Sequence, residues 1–329
     1  MDVQNQCDVH AAYCIDSSSD FSRFIHPHVV YARAMMLAWR AALRALLILV
    51  IAGGLSAFAV AGARANEERL SLAGLAVTVW QPDAAMSDAR PTIIFSHGFH
   101  GCDTQARFLA TALAGAGYLV FAPQHRDATC DGGGGRLSDP PEEPFVKPDL
   151  WSEAAYRDRA EDIKRLIAAL KRDDAWRQRI DWGRLGLAGH SLGGYTVLGL
   201  AGAWPQWKLP GIKAVLALSP YIEPYLAAHS LSGLSVPVMY QGGTLDIGIT
   251  PTVSRAGGGY ESSPAPKYFV EFRGAGHLAW TDLGPAAAHA AIIAYSRAFF
   301  DHYLKGEPAA ALLTQSGAEV AQLRFEGGQ

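Results

Sequence analysis

The chain is 329 residues long, half of them hydrophobic and 18% charged, with a formal net charge of −3. That balance describes a globular protein and, with no basic stripe and no aromatic-rich RNA motif, excludes nucleic acid as an expected partner. No run of like charges or internal repeat breaks the chain into an array.

Residues 1–34 carry scattered His, Cys and Ser without periodicity and read as an upstream or disordered segment, with translation expected to start at Met35 or Met36. Residues 35–65 have the layout of a secretory signal. Arg40 and Arg44 form a positive start, 45–63 is uncharged and apolar, and Ala63-Arg64-Ala65 offers a small-x-small cleavage site before Asn66. The competing reading is an uncleaved anchor, since 45–63 approaches spanning length. Gly53, Gly54 and Gly62 and the Ala-x-Ala end favour cleavage, which implies a periplasmic or secreted protein. Of four cysteines, only Cys102 and Cys130 lie beyond this signal; in an exported chain two such cysteines imply one disulfide.

From residue 75 onward, apolar runs at 76–80, 92–96, 119–122, 184–188, 214–218, 236–241 and 268–272 read as strands. Helical patterns at 105–116, 152–171, 195–203 and 285–305 fall among them. The alternation predicts an α/β fold with a mostly parallel central sheet, helices on both faces, and a single domain over 66–329. Segment 124–150, with Gly132 to Gly135 and several prolines, reads as a long loop. No Gly-Lys-Ser or Gly-Lys-Thr follows those glycines, so a nucleotide site is not expected.

The run Gly189-His190-Ser191-Leu192-Gly193-Gly194 places a serine inside Gly-x-Ser-x-Gly between a strand and a helix. A serine on such a turn is exposed at the sheet edge, and Gly189 and Gly193 let neighbouring backbone pass closely. A serine hydroxyl is a poor nucleophile unless a base takes its proton and a carboxylate orients that base. Asp246, past the strand 236–241, and His277, past the strand 268–272, supply these in the order Ser, Asp, His. His229, His289 and His302 fit less well as the base, and Glu223 and Asp282 less well as the acid. Oxyanion donors are expected from the backbone N–H of Leu192, after the nucleophile, and of Phe99, in the loop Ser96-His97-Gly98-Phe99. His97, His100 and His125 could instead be metal ligands, but no ligand spacing completes a zinc site, so no metal and no cofactor are expected. Trp151, Trp204, Tyr221 and Trp280 are candidate pocket walls.

Together with Gln124-His125-Arg126-Asp127 and Gly276-His277, these segments resemble the bacterial dienelactone-hydrolase-like and platelet-activating-factor-acetylhydrolase-like α/β-hydrolases. The resemblance spans about 75–305. Dienelactone hydrolases use a cysteine nucleophile, so Ser191 argues against that activity. Platelet-activating-factor acetylhydrolases carry their acid after the preceding strand, where this chain has Leu218-Ser219-Pro220. With the acid at Asp246, the arrangement is more similar to bacterial carboxylesterases and cutinase-like polyester hydrolases.

The expected function is therefore that of a serine carboxylic-ester hydrolase working through an acyl-enzyme on a small-molecule or lipid-like ester. It is expected to be a monomer that meets a membrane only through an uncleaved signal. An acyltransferase or amidase could use the same triad. A non-catalytic binding module on this scaffold is the reading of another class.

Overall fold

A computed structural model describes residues 65–83, 88–130 and 133–327. The upstream segment 1–34 and, Ala65 apart, the expected signal 35–65 lie outside the described residues.

Nine strands form one sheet: β1 Ala65–Leu72, β2 Leu75–Pro82, β3 Arg90–Ser96, β4 Leu119–Pro123, β5 Ile180–His190, β6 Ile212–Leu218, β7 Val238–Gly243, β8 Lys267–Phe272 and β9 Val320–Glu326. Their spatial order is β1-β2-β4-β3-β5-β6-β7-β8-β9. The six strands from β4 to β8 run parallel, and β1, β2 and β9 pair antiparallel at the two sides. This is the expected α/β architecture. The central strands are apolar without interruption because both faces are covered.

Alternation along each strand divides the core into two layers. Helix α1, Arg107–Gly115, covers one face of the sheet, while α2, Arg157–Arg172, and α3, Leu192–Leu198, cover the other. Ile94 and Leu187 join the layer under α2 and α3. Ile93, Phe95 and Ala188 join the opposite layer, closed by α1 and by α4, His289–Lys305. Helix α2 turns Ala160, Ile163, Leu166, Ile167 and Leu170 to the sheet at helical spacing, yet the same buried face also carries Arg159 and Asp162. Two charged side chains on a core stripe have a specific use, described below.

All seven predicted strands form, with edges shifted by a few residues. β1 and β9 add to them, and helix α3 starts directly after Ser191 rather than at Tyr195. β3 lies between β4 and β5, so the chain leaves β3 in one direction and returns on its other side. Such a reversal opens a crevice at the carboxyl ends of the strands, where ligands bind in open α/β sheets.

Candidate active site

Ser191 occupies the one-residue turn between β5 and α3, at φ 54° and ψ −117°. This positive-φ backbone is costly for a residue with a side chain and is held by the packing around it. Two contacts hold it: the Ser191 N–H donates to Leu218 O at 3.0 Å, and Tyr221 N–H donates to Ser191 O at 3.1 Å. Gly193 is required because a Cβ there would lie 1.9 Å from the Ser96 carbonyl oxygen. The start of α3 therefore abuts the end of β3, bringing the 97–106 loop against the serine.

His277 follows β8 in the loop that begins at Arg273, and its Nε2 lies 2.9 Å from Ser191 Oγ. Its Nδ1 lies 3.2 Å from Asp246 Oδ1. Asp246, in the turn after β7, has a side chain only 2% exposed. Burial pushes its carboxyl up, but hydrogen bonds from His277, Ser219 and Thr250 outweigh that and hold it below its ordinary value. Thr250 Oγ1 donates to Asp246 Oδ2 at 2.9 Å while accepting the Gly243 N–H. The structure thus brings Ser191, His277 and Asp246 together. Glu223 instead pairs with Arg255, and Asp282 accepts the first two N–H groups of α1, from Arg107 and Phe108.

Ser219 joins them without a motif to announce it, as a lone serine in Leu-Ser-Pro. Its Oγ donates to Asp246 Oδ2 at 2.5 Å and lies 2.8 Å from His277 Nδ1, closer to the imidazole than the carboxylate is.

The Phe99 loop is fixed from two sides. On one, Gly98 N–H donates to Gln105 Oε1 at 2.8 Å, the Gln105 amide donates to His190 Nδ1 at 2.6 Å, and His190 Nε2 donates to His277 O at 2.8 Å. That direction of donation requires a neutral His190, and burial, followed by the nearby His277, pushes its pKa down to about 3. On the other side Arg159, with no exposed side-chain surface, donates to His97 O at 2.8 Å and Gly98 O at 3.1 Å. Its Nε and Nη2 reach Asp127 at 3.0 and 3.2 Å. Burial alone would raise the Asp127 carboxyl, but the Arg159 guanidinium more than offsets it and holds the group far below the usual carboxylate range.

Of the three histidines weighed as metal ligands, His97 and His125 are buried elements of this network. His125 N–H donates to His97 Nε2, and His125 Nε2 accepts from Ser96. His125 Nδ1 donates to Asp162, whose carboxyl burial pushes up to about 6 against the pull of Arg165 and Arg159. The His100 N–H donates to Asp127. Among the described residues no group of His, Cys, Asp or Glu side chains is arranged to hold a metal ion.

Leu192 is the first residue of α3, where the N–H has no acceptor within the helix. Phe99 and Ser191 line the same cleft of about 430 Å³, together with His277, Leu137, Leu278 and Leu283. Cys102 and Cys130 are joined in a disulfide with a Cα–Cα distance of 5.9 Å, tying the loop after β3 to the one after β4. The expected aromatic walls are a correction. Trp151, Trp204, Tyr221 and Trp280 are all buried and none lines this cleft. Their polar atoms are satisfied inside, as when Trp204 Nε1 donates to Tyr195 and Trp280 Nε1 to Gln241. A larger cavity of about 540 Å³, lined by Gln124, His125, Arg126 and Asp162, holds none of Ser191, Asp246 and His277.

A family profile described as platelet-activating factor acetylhydrolase, isoform II, matches residues 54–132. That span contains β3 and the whole Phe99 loop. Cutinase 1 of Thermobifida cellulosilytica is 27% identical over 217 residues, 65% of this chain and 70% of its own length. With the sheet order and the Ser191 turn, these similarities support an α/β-hydrolase esterase. The chain is an esterase of the α/β-hydrolase superfamily. The cutinase of Thermobifida fusca (strain YX) is also 27% identical over 217 residues, 65% of the esterase and 61% of its own length. Cutinase 2 of T. cellulosilytica is 36% identical over 107 residues, 32% of the esterase and 37% of its own length.

Proposed function

We propose that the esterase hydrolyses carboxylic esters through an acyl-enzyme on Ser191. The observation that carries this is the 2.9 Å contact between His277 Nε2 and Ser191 Oγ, with Asp246 behind the imidazole. His277 takes the hydroxyl proton as Ser191 Oγ bonds to the ester carbonyl carbon, then delivers it to the departing alcohol. Asp246 orients the ring and stabilises its charged form. The N–H groups of Phe99 and Leu192 receive the oxyanion. Water, deprotonated by His277, then releases the acid.

An uncharged acyl group suits the cleft. Its charged residues are already engaged, Arg107 with Glu67 and Asp282 with the N–H groups of α1, while Leu137, Leu278 and Leu283 supply apolar surface. Similarity to proteins named cutinase and to the acetylhydrolase family supports an ester as substrate.

Incubation with a fluorophosphonate should label the wild type once, at Ser191, and should leave Ser191→Ala unlabelled. On a panel of p-nitrophenyl esters of graded length, Ser191→Ala should lose about 10⁴-fold in kcat. A tenth of the activity remaining in pure Ser191→Ala would refute the assignment, and an unlabelled wild type would return the binding-module reading. The same reading takes 66–329 as the catalytic domain, exported after cleavage before Asn66. Among the described residues no helix is long and apolar enough to cross a membrane. Mass analysis of protein exported by a Gram-negative host tests the cleavage, and a product retaining 45–63 in the membrane fraction would overturn it.

A further inference from the structure

His277 Nδ1 has two oxygens before it, and the nearer one is not the carboxylate. Ser219 Oγ stands at 2.8 Å and Asp246 Oδ1 at 3.2 Å. Ser219 has a single hydroxyl proton, and its 2.5 Å contact with Asp246 Oδ2 uses it, because an ionised carboxylate can only accept. The Ser219 oxygen is then left with lone pairs facing Nδ1–H. The ring proton is shared between the serine oxygen and Oδ1, and the serine hydroxyl passes the carboxylate's pull to the imidazole. We propose that Ser219 is a positioning residue of the catalytic machinery, a hydroxyl relay that fixes the His277 tautomer and ring plane jointly with Asp246. The proposal rests on the assignment of Ser191, His277 and Asp246 given above.

Three independent features support it. Ser219 is fully buried, so no water competes for its hydroxyl. Its backbone is held at φ 42°, a conformation uncommon outside glycine, immediately after the end of β6. The Ser219 N–H donates to Gln241 O at 2.7 Å, anchoring the residue to β7, the strand that leads to Asp246. The side chain is thus aimed into the gap between acid and base rather than left there by a flexible loop.

The arrangement also means that position 219 lies within reach of Nδ1 for a carboxylate of its own. Aspartate tolerates positive φ better than most residues. In Asp246→Asn, the amide no longer offers a charged acceptor, and the ring loses its orienting partner. Adding Ser219→Asp restores one from the other side, with its second oxygen free to accept an N–H from the amide that Asp246→Asn introduces.

The experiment measures kcat and KM for p-nitrophenyl acetate with the full chain, in wild type and in Ser219→Ala, Ser219→Gly, Asp246→Asn and Ser219→Asp/Asp246→Asn. Thermal melts accompany each. Ser219→Ala should lower kcat at least tenfold with KM changed less than threefold, because the hydroxyl acts on the histidine and not on the substrate. Ser219→Gly lacks the hydroxyl without backbone strain and should match it, which separates the relay from simple misfolding. The double variant should exceed Asp246→Asn at least tenfold in kcat. Ser219→Ala and Ser219→Gly both within threefold of wild type would overturn the relay. Failure of the underlying assignment has a different signature, namely an Asp246→Asn variant with wild-type kcat.

Discussion

Arg159→Met tests whether the buried guanidinium holds the Phe99 loop. The substitution keeps an apolar stem and removes donors to His97 O, Gly98 O and both oxygens of Asp127. The Asp127 side chain is 16% exposed, so water can replace the lost partner only in part. Breaking a buried ion pair from one side costs about 3 to 5 kcal/mol. The His97 carbonyl, left without the Arg159 donor, adds about 1 kcal/mol or more, less than additively because the groups share one site. Gly98 O keeps the Gly101 N–H and His97 Nδ1–H. The sum, about 4 to 6 kcal/mol, is a large part of the roughly 5 to 15 kcal/mol available to a folded domain. Urea unfolding should therefore show a midpoint shifted far toward low denaturant. Asp127→Asn/Arg159→Met removes the stranded charge and should be more stable than Arg159→Met by about 1 to 3 kcal/mol. Below the unfolding transition, kcat of the double variant should still fall tenfold or more, because the two carbonyls before Phe99, His97 O and Gly98 O, lack the guanidinium that ties them to α2. A loss under about 1 kcal/mol in Arg159→Met, or a folded double variant with wild-type kcat, would refute the reasoning.

Replacing both Cys102 and Cys130 with serine opens a loop with a sequence separation of 28, for which chain entropy gives a loss of about 3 to 4 kcal/mol. A lowered Tm and kcat should follow, and an unchanged Tm would count against a stabilising bridge. For Asp162, whose carboxyl is raised to about 6 in the fold, the folded state holds the proton more tightly than the unfolded chain. Its stabilising contribution is complete below about pH 4 and is lost as pH rises through about 6. Asp162→Asn should gain on wild type by up to about 3 kcal/mol between about pH 4 and 8 in urea midpoints, whereas a gap independent of pH would reject the shift. Glu223→Gln should leave kcat within twofold, while Asp246→Asn lowers it at least a hundredfold; the reverse ranking would move the acid to Glu223.

The central strands and the three loops bearing Ser191, Asp246 and His277 are legible in the sequence because buried parallel strands write continuous apolar runs, and each of those residues follows one. β1 is not legible. Its sequence Asn66-Glu67-Glu68-Arg69 is charged and mostly exposed, and it becomes a strand only by pairing with β2. β9 reads poorly for the same reason. Arg159 and Asp162 sit in Arg-Asp-Arg-Ala-Glu-Asp, which reads as a solvated helix face; nothing in the spacing says which charges turn inward. The aromatic residues mislead in the opposite sense, since a tryptophan suits a core or a cleft equally well and only the packing decides. Ser219 lacks any signal because its role depends on where two other loops bring their side chains.

The chain of contacts from Gly98 through Gln105 and His190 to the carbonyl of His277 joins the loops after β3 and β8 to the last residue of β5, three segments from three different strands. No single loop owns the catalytic geometry. A segment such as 97–106 or 273–283 transplanted onto another scaffold would arrive without the neighbours that define its shape. Exchange between relatives is therefore expected to succeed only when the three segments travel as a set.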